Sequence, residues 1–247
     1  MSSVADPGRD TVGRRSFVSK LAAGVTVIWL PVGEGATPGS GIPLSTPQEK
    51  GEEQEVSPPE DLMREHGVLK RILLVYREAI ARLDAKKELP PDAVQEGATI
   101  IRTFIEDYHE KLEEDFLFPR FEKAGRLTDL TTVLKAQHQA GRRLTEVIRE
   151  LASAQALKNP TESSRLRDAM YQFVRMYEPH EAREDTVLFP ALREIVSDQE
   201  FGALGEDFEK KEHQLFGEDG FEKMVDRVAR IERTLGIYDL AQFTPKV

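Results

Sequence analysis

From Ser57 onward the apolar residues recur at steps of three and four, the spacing that lines up side chains on one face of an α-helix. The first seam runs Leu62, His66, Leu69, Leu73, Tyr76, Ile80, Leu83. Ser57-Pro58-Pro59-Glu60 has the Ser-x-x-Glu spacing of a capping box, and it opens a helix expected to last to about Lys86. Leu89-Pro90-Pro91-Asp92 breaks the chain and starts a second helix, through Ile101, Ile105, His109, Leu112 and Phe116, which Gly125 ends. A third, from about Asp129 to Leu157, turns Leu130, Leu134, His138, Gly141, Ile148 and Leu151 inward. Asn159-Pro160 is a cap followed by proline at the first helical position. The fourth seam then carries Leu166, Met170, Phe173, Tyr177, His180, Glu184 and Val187. No segment between 60 and 196 reads as a strand. Four long helices with short loops predict an all-α, antiparallel up-down four-helix bundle over residues 60–196. Residues 197–247 add two helical stripes, Phe201, Leu204, Phe208, Leu215 and then Met224, Val228, Ile231, Leu235, expected to pack on the bundle.

The second half of the bundle repeats the first. His109 to His180 and Glu113 to Glu184 are both offset by 71 residues, and His66 to His138 by 72. Leu117-Phe118-Pro119 and Leu188-Phe189-Pro190 follow the two His-x-x-x-Glu pairs. Histidine and glutamate four apart project from the same helix face. A buried, unpaired carboxylate costs several kcal/mol in lost hydration, on the order of the stability of a whole domain when two are present. No Lys or Arg lies on those seams, so a cation is the economical partner. Counted at 1.5 Å per residue, the axial levels of the four histidines agree to within about 3 Å. His66, His109, Glu113, His138, His180 and Glu184 are therefore expected to converge at one level between two helical hairpins. Imidazole and carboxylate without sulfur favour iron or manganese, with zinc possible. Two central carboxylates suit two ions, one on His66 and His109, the other on His138 and His180, with Glu113 and Glu184 bridging and positions left for water, oxygen or peroxide.

Composition narrows the alternatives. Cysteine is absent, which removes disulfides, iron–sulfur clusters, thiolate zinc sites and cysteine nucleophiles. Acidic residues outnumber basic ones by 44 to 34, and the resulting field repels phosphate backbones, so no nucleic-acid partner is expected. The N-terminus reads as an export segment. Arg14-Arg15-Ser16-Phe17-Val18 precedes the apolar run Leu21 to Leu30, too short to span a bilayer comfortably. The arginine pair resembles a twin-arginine signal, so residues 1–36 are expected to direct export to the periplasm or to stay as an anchor, the chain's one point of membrane proximity. Residues 37–59, rich in Gly, Pro, Ser, Thr and Glu, read as a flexible linker.

The doubled pattern His66, His109-x-x-x-Glu113, His138, His180-x-x-x-Glu184 resembles the hemerythrin-like HHE cation-binding family over about residues 60–195. The resemblance implies a non-haem di-iron centre that interacts with oxygen, peroxide, nitric oxide or iron itself, with a di-iron oxidoreductase activity as one outcome. Oxygen-carrying hemerythrins use five histidines, the third motif being His-x-x-x-His. Here that place reads His138-Gln139-Ala140-Gly141-Arg142, which counts against reversible oxygen carriage. The competing readings are a non-catalytic iron or oxygen sensing or storage module, and a helical protein with a structural zinc or vestigial site. Glu110 and Glu181, each following a motif histidine, stand as further candidate ligands, though a solvent-facing role is the commoner one for such a carboxylate. His213, with Glu209 four residues before it, reads as a surface or packing residue first and a ligand second. Tyr76, Tyr108 and Tyr177 read first as core aromatics.

Overall fold

The computed structural model describes residues 56–246. The proposed export segment and nearly all of the linker therefore lie outside the described residues. Among the described residues there are helices and no strand, as the hydrophobic period requires.

Helix α1 (Pro58–Asp84) starts from an extended Ser57, but the Ser57 side chain makes no capping bond. Pro58 and Pro59 leave no N–H at the first two helical positions, and the backbone Asp61 N–H closes the first turn on Ser57 O at 2.9 Å. The capping box is thus a spacing without its hydrogen bonds. Helix α2 (residues 91–124) ends where expected, on Gly125 in the left-handed region at φ 61°. Helix α3 (Thr128–Leu151) stops six residues short of the Leu157 that apolar spacing suggests. Ala152 leaves the helical region, and Ser153 caps a separate one-turn helix, Ala154–Lys158, by accepting from Ala156 N–H at 3.1 Å. Helix α4 (residues 160–192) is capped by Asn159, whose Oδ1 accepts from Thr161 N–H at 3.0 Å and Glu162 N–H at 3.4 Å.

Ion pairs fix the direction of packing. Lys70 meets Asp185, Arg77 meets Glu178 and Arg167 meets Asp84, so α1 and α4 run antiparallel. Arg102 with Glu146 and Lys135 with Glu122 set α2 against α3 in the same sense. Between them Leu62, Leu69, Ile72, Tyr76, Phe104, Ile105, Phe118, Leu134, Ile148, Phe173 and Leu188 are excluded from solvent. Each such side chain contributes roughly 1.5–3 kcal/mol of hydrophobic stabilisation.

Helices α5 (Asp198–Phe216) and α6 (Gly220–Leu235) cover α1 and α2. Arg71 forks onto Glu232 at 2.9 and 2.5 Å, Arg82 donates to Leu235 O at 2.6 Å, and Arg227 reaches Glu96 at 2.8 Å. Phe208 packs edge-on against Phe116, and Phe216 against Phe104 and Tyr108. The apolar stripe of α5 is completed by Phe216; Leu215, assigned to it from spacing, points to solvent.

Local distortions of α2 and α4 decide where the polar residues point. Phe118 N–H donates to Glu113 O, and Phe189 N–H to Glu184 O, five residues back instead of four. Each wide turn is followed by proline, Pro119 or Pro190. Proline lacks the N–H for the next helical bond, and its ring crowds the carbonyl four residues earlier, so the helix relaxes by widening ahead of it. Ahead of His109 the helix is wide again, with Glu110 N–H on Ile105 O, while ahead of His180 the interruption is Pro179 inside the helix.

Candidate metal centre

The six residues singled out in the sequence are all buried, none more than 3 % exposed, and they meet in the middle of the bundle. His66 on α1 and His109 on α2 face each other with Nε2 atoms 3.0 Å apart. His138 on α3 and His180 on α4 do the same at 3.2 Å. Each glutamate reaches across the two pairs. Glu113 Oε2 lies 3.8 Å from His109 Nε2 and 3.4 Å from His138 Nε2. Glu184 Oε2 lies 3.4 Å from His66 Nε2 and 3.2 Å from His180 Nε2. Among the described residues, His66, His109 and Glu113 place ligand atoms within 4.8 Å of one another, and so do His138, His180 and Glu184.

The outer nitrogens of the same rings are engaged. His66 Nδ1 donates to Asp185 at 2.7 Å, His109 Nδ1 to Glu65 at 2.7 Å, His138 Nδ1 to Glu114 at 3.1 Å and His180 Nδ1 to Gln137 Oε1 at 2.9 Å. A carboxylate can only accept, so these bonds place the ring proton on Nδ1 and leave an inward lone pair on Nε2. Two lone pairs facing at 3.0 Å repel unless something positive sits between them. Glu113 and Glu184 present four buried oxygens, none of which meets a hydrogen-bond donor in bonding geometry. Inward nitrogen lone pairs and unserved carboxylate oxygens together are the donor set of a cation site, and the residues present fit a metal pair.

Without metal, protons must carry the compensating charge. Burial opposes charging His66, but its hydrogen bond to Asp185 and the negative charge of the adjacent Glu184 outweigh it and carry the imidazole up to about 10. Burial, then the charge of His66, holds His109 well below its ordinary value. Burial, reinforced by the neighbouring charge of Glu184, pushes Glu113 up to about 8. Burial works against ionising Glu184 too, yet His180 and His66 hold it well below the carboxylate range. The centre thus binds protons where it can bind metal.

Of the further candidates, Glu110 is buried close to His138. It accepts from Tyr177 Oη at 2.6 Å and pairs with Arg142 at 2.8 Å, although with Glu114 and His138 it also forms a group able to hold an ion. Glu181 is buried beside Lys70 and His66, and burial pushes it up to about 7. His213 is half-buried on α5, in none of the groups able to hold a metal. Tyr76 and Tyr108 are core aromatics, whereas Tyr177 also lies edge-on to His180 with ring centroids 5.3 Å apart. A further buried carboxylate group, Asp61, Glu65 and Glu212, lies between α1 and α5 and meets the centre at Glu65, the partner of His109.

The outer contacts escaped the sequence reading. Glu65, Glu114, Gln137 and Asp185 look like ordinary surface residues beside an apolar stripe. Their signal is the repeat itself, because Glu65 and Gln137, like Lys70 and Arg142, are 72 apart, and Glu114 and Asp185 are 71 apart.

The hemerythrin HHE cation-binding domain matches this chain twice, over residues 57–163 and 129–245. The chain belongs to that family. Its all-helical fold agrees, and family and donor set together make it a metal-binding protein. Three mycobacterial proteins, each described only as uncharacterized, are 54 % identical to this hemerythrin-family chain over 237 residues, 95 % of its length and 91 % of theirs. One is from Mycobacterium bovis and two from strains of Mycobacterium tuberculosis, CDC 1551 and H37Rv. No solved structure matches the chain.

Proposed function

We propose that this hemerythrin-family chain holds two iron ions and reacts with oxygen, peroxide or nitric oxide. His66 and His109 would hold one ion, His138 and His180 the other, with Glu113 and Glu184 shared between them. The observation that carries the reading is the pair of glutamates: each lies within 3.8 Å of one imidazole from either pair, and none of their oxygens has a donor. Nitrogen and oxygen donors without sulfur favour iron over the softer metals. When bound, such ions supply Lewis acidity and one-electron redox chemistry at positions the protein leaves open.

The chain's own residues do the rest. Asp185, Glu65, Glu114 and Gln137 fix the tautomer and direction of the four imidazoles. Phe189 stacks on His66 and Phe118 on His138, at 5.4 and 5.6 Å, walling the centre from water. A small diatomic or peroxide ligand suits so enclosed a site. Export through the Arg14-Arg15 signal to the periplasm is part of the proposal; the paired arginines and the short apolar run support it. Among the described residues no helix is long and apolar enough to cross a membrane.

The test is reactivity. Iron-loaded protein supplied with a reductant should consume hydrogen peroxide or nitric oxide, and a Glu113→Ala, Glu184→Ala double variant should not. Equal consumption by both would overturn the reading. Replacing Arg14 and Arg15 by Lys should strand the protein in the cytosol, and undiminished export would dismiss the signal.

A further inference from the structure

Among the outer contacts of the four imidazoles the repeat of carboxylates is broken at one position, behind a candidate metal ligand. The outer contacts of three imidazoles end on carboxylates. On α1, His66 Nδ1 donates to Asp185, which also takes Lys70 Nζ at 2.9 Å. Its counterpart on α3, His138, donates to Glu114, which takes Arg142 at 2.8 Å. These two arrangements match, anion and cation alike. His109 donates to the Glu65 carboxylate, but its counterpart His180 donates to the amide oxygen of Gln137.

A carboxylate behind an imidazole draws the Nδ1 proton outward and raises the basicity of the inward nitrogen; a neutral amide does so less. The pair His66/His109 is backed by two carboxylates, the pair His138/His180 by one.

We infer that the two cation positions are unequal, with His66/His109 filling first and His138/His180 holding the weaker, exchangeable ion, and that Gln137 is the positioning residue that sets the difference. The inference rests on the two-cation reading above. At limiting iron the chain would carry one retained ion and one open position, so that its loading follows the supply of metal around it. The second position could also take a different divalent ion from the first.

Repulsion between two ions separates the binding steps even in a symmetric site, so the diagnostic quantity is how variants change the separation. Metal-free full-length protein is titrated anaerobically with ferrous ion, followed by calorimetry and by native mass spectrometry of the zero-, one- and two-ion forms. Gln137→Glu should tighten the second step by about 10-fold and narrow the gap, since removing or adding such outer hydrogen bonds changes metal affinity by roughly 10–100-fold. His180→Ala should keep the tight step and lose the weak one, and His109→Ala the reverse. A Gln137→Glu titration with the wild-type separation overturns the inference, as does loss of the same step in both histidine variants. A wild-type protein that binds no ion overturns the two-cation reading and this inference with it; binding of two ions without those variant effects overturns the inference alone.

Discussion

Gly141 is the residue where one missing methyl group matters most. A Cβ there would lie 2.0 Å from Tyr177 Oη and 2.7 Å from its ring, which holds the hydroxyl against Glu110. Gly141→Ala should therefore destabilise the protein by about 1–3 kcal/mol in denaturant titration, the usual cost of overpacking a filled core. Gly67 is the contrast, in the middle of α1 with nothing within 4 Å of its Cβ position, so Gly67→Ala should stabilise by roughly 0.5–1 kcal/mol. Equal effects would contradict the packing described. At this scale the inward residues were legible, because histidine and glutamate on an apolar seam break the pattern they sit in. The residues behind them were not. Glu65 is as buried as the ligands, but on a helix a carboxylate next to a seam position normally reaches solvent, and this one is held inward on the Nδ1 of His109.

Among the elements, starts were easier to read than ends. Asn159-Pro160 announced α4 and the cap is made; Asn159→Ala should cost about 1 kcal/mol and lower the thermal midpoint, and an unchanged midpoint would mean that the helix end is held by packing alone. Ser57 shows the converse, since its spacing is right but its side chain makes no capping bond, Pro59 having removed one of the two donors it would serve. The break after Leu151 was hidden by helix-favouring residues on both sides, with Ser153 its one marker. The wide turns after Glu113 and Glu184 follow physically from Pro119 and Pro190, yet an ideal helical period takes no account of them.

For the whole molecule, the hydrophobic period carried the four-helix architecture almost completely, and the two outer helices appeared as stripes before their attachment to α1 and α2 was visible. The larger consequence is electrostatic. In the metal-free protein His66 keeps its proton up to about 10 and Glu113 up to about 8, both above their unfolded values. A group whose folded pKa is raised lends stability below its unfolded pKa and withdraws it as pH climbs through the folded one. Metal-free protein should therefore lose thermal stability between pH 7 and 10, and metal-loaded protein, whose ligands carry no such protons, should hold its midpoint over that range until the metal itself is lost. Parallel curves for the two forms would show that the centre does not couple protons to metal.

The most direct measurement is metal stoichiometry on the folded chain. Protein stripped of metal, incubated anaerobically with ferrous ion and desalted, is analysed for iron per chain alongside the Glu113→Ala, Glu184→Ala double variant, with helicity recorded for both. The account predicts two irons per wild-type chain and loss of both from a variant that remains helical. A helical wild-type chain that retains no iron, or a double variant that retains as much as wild type, would contradict it.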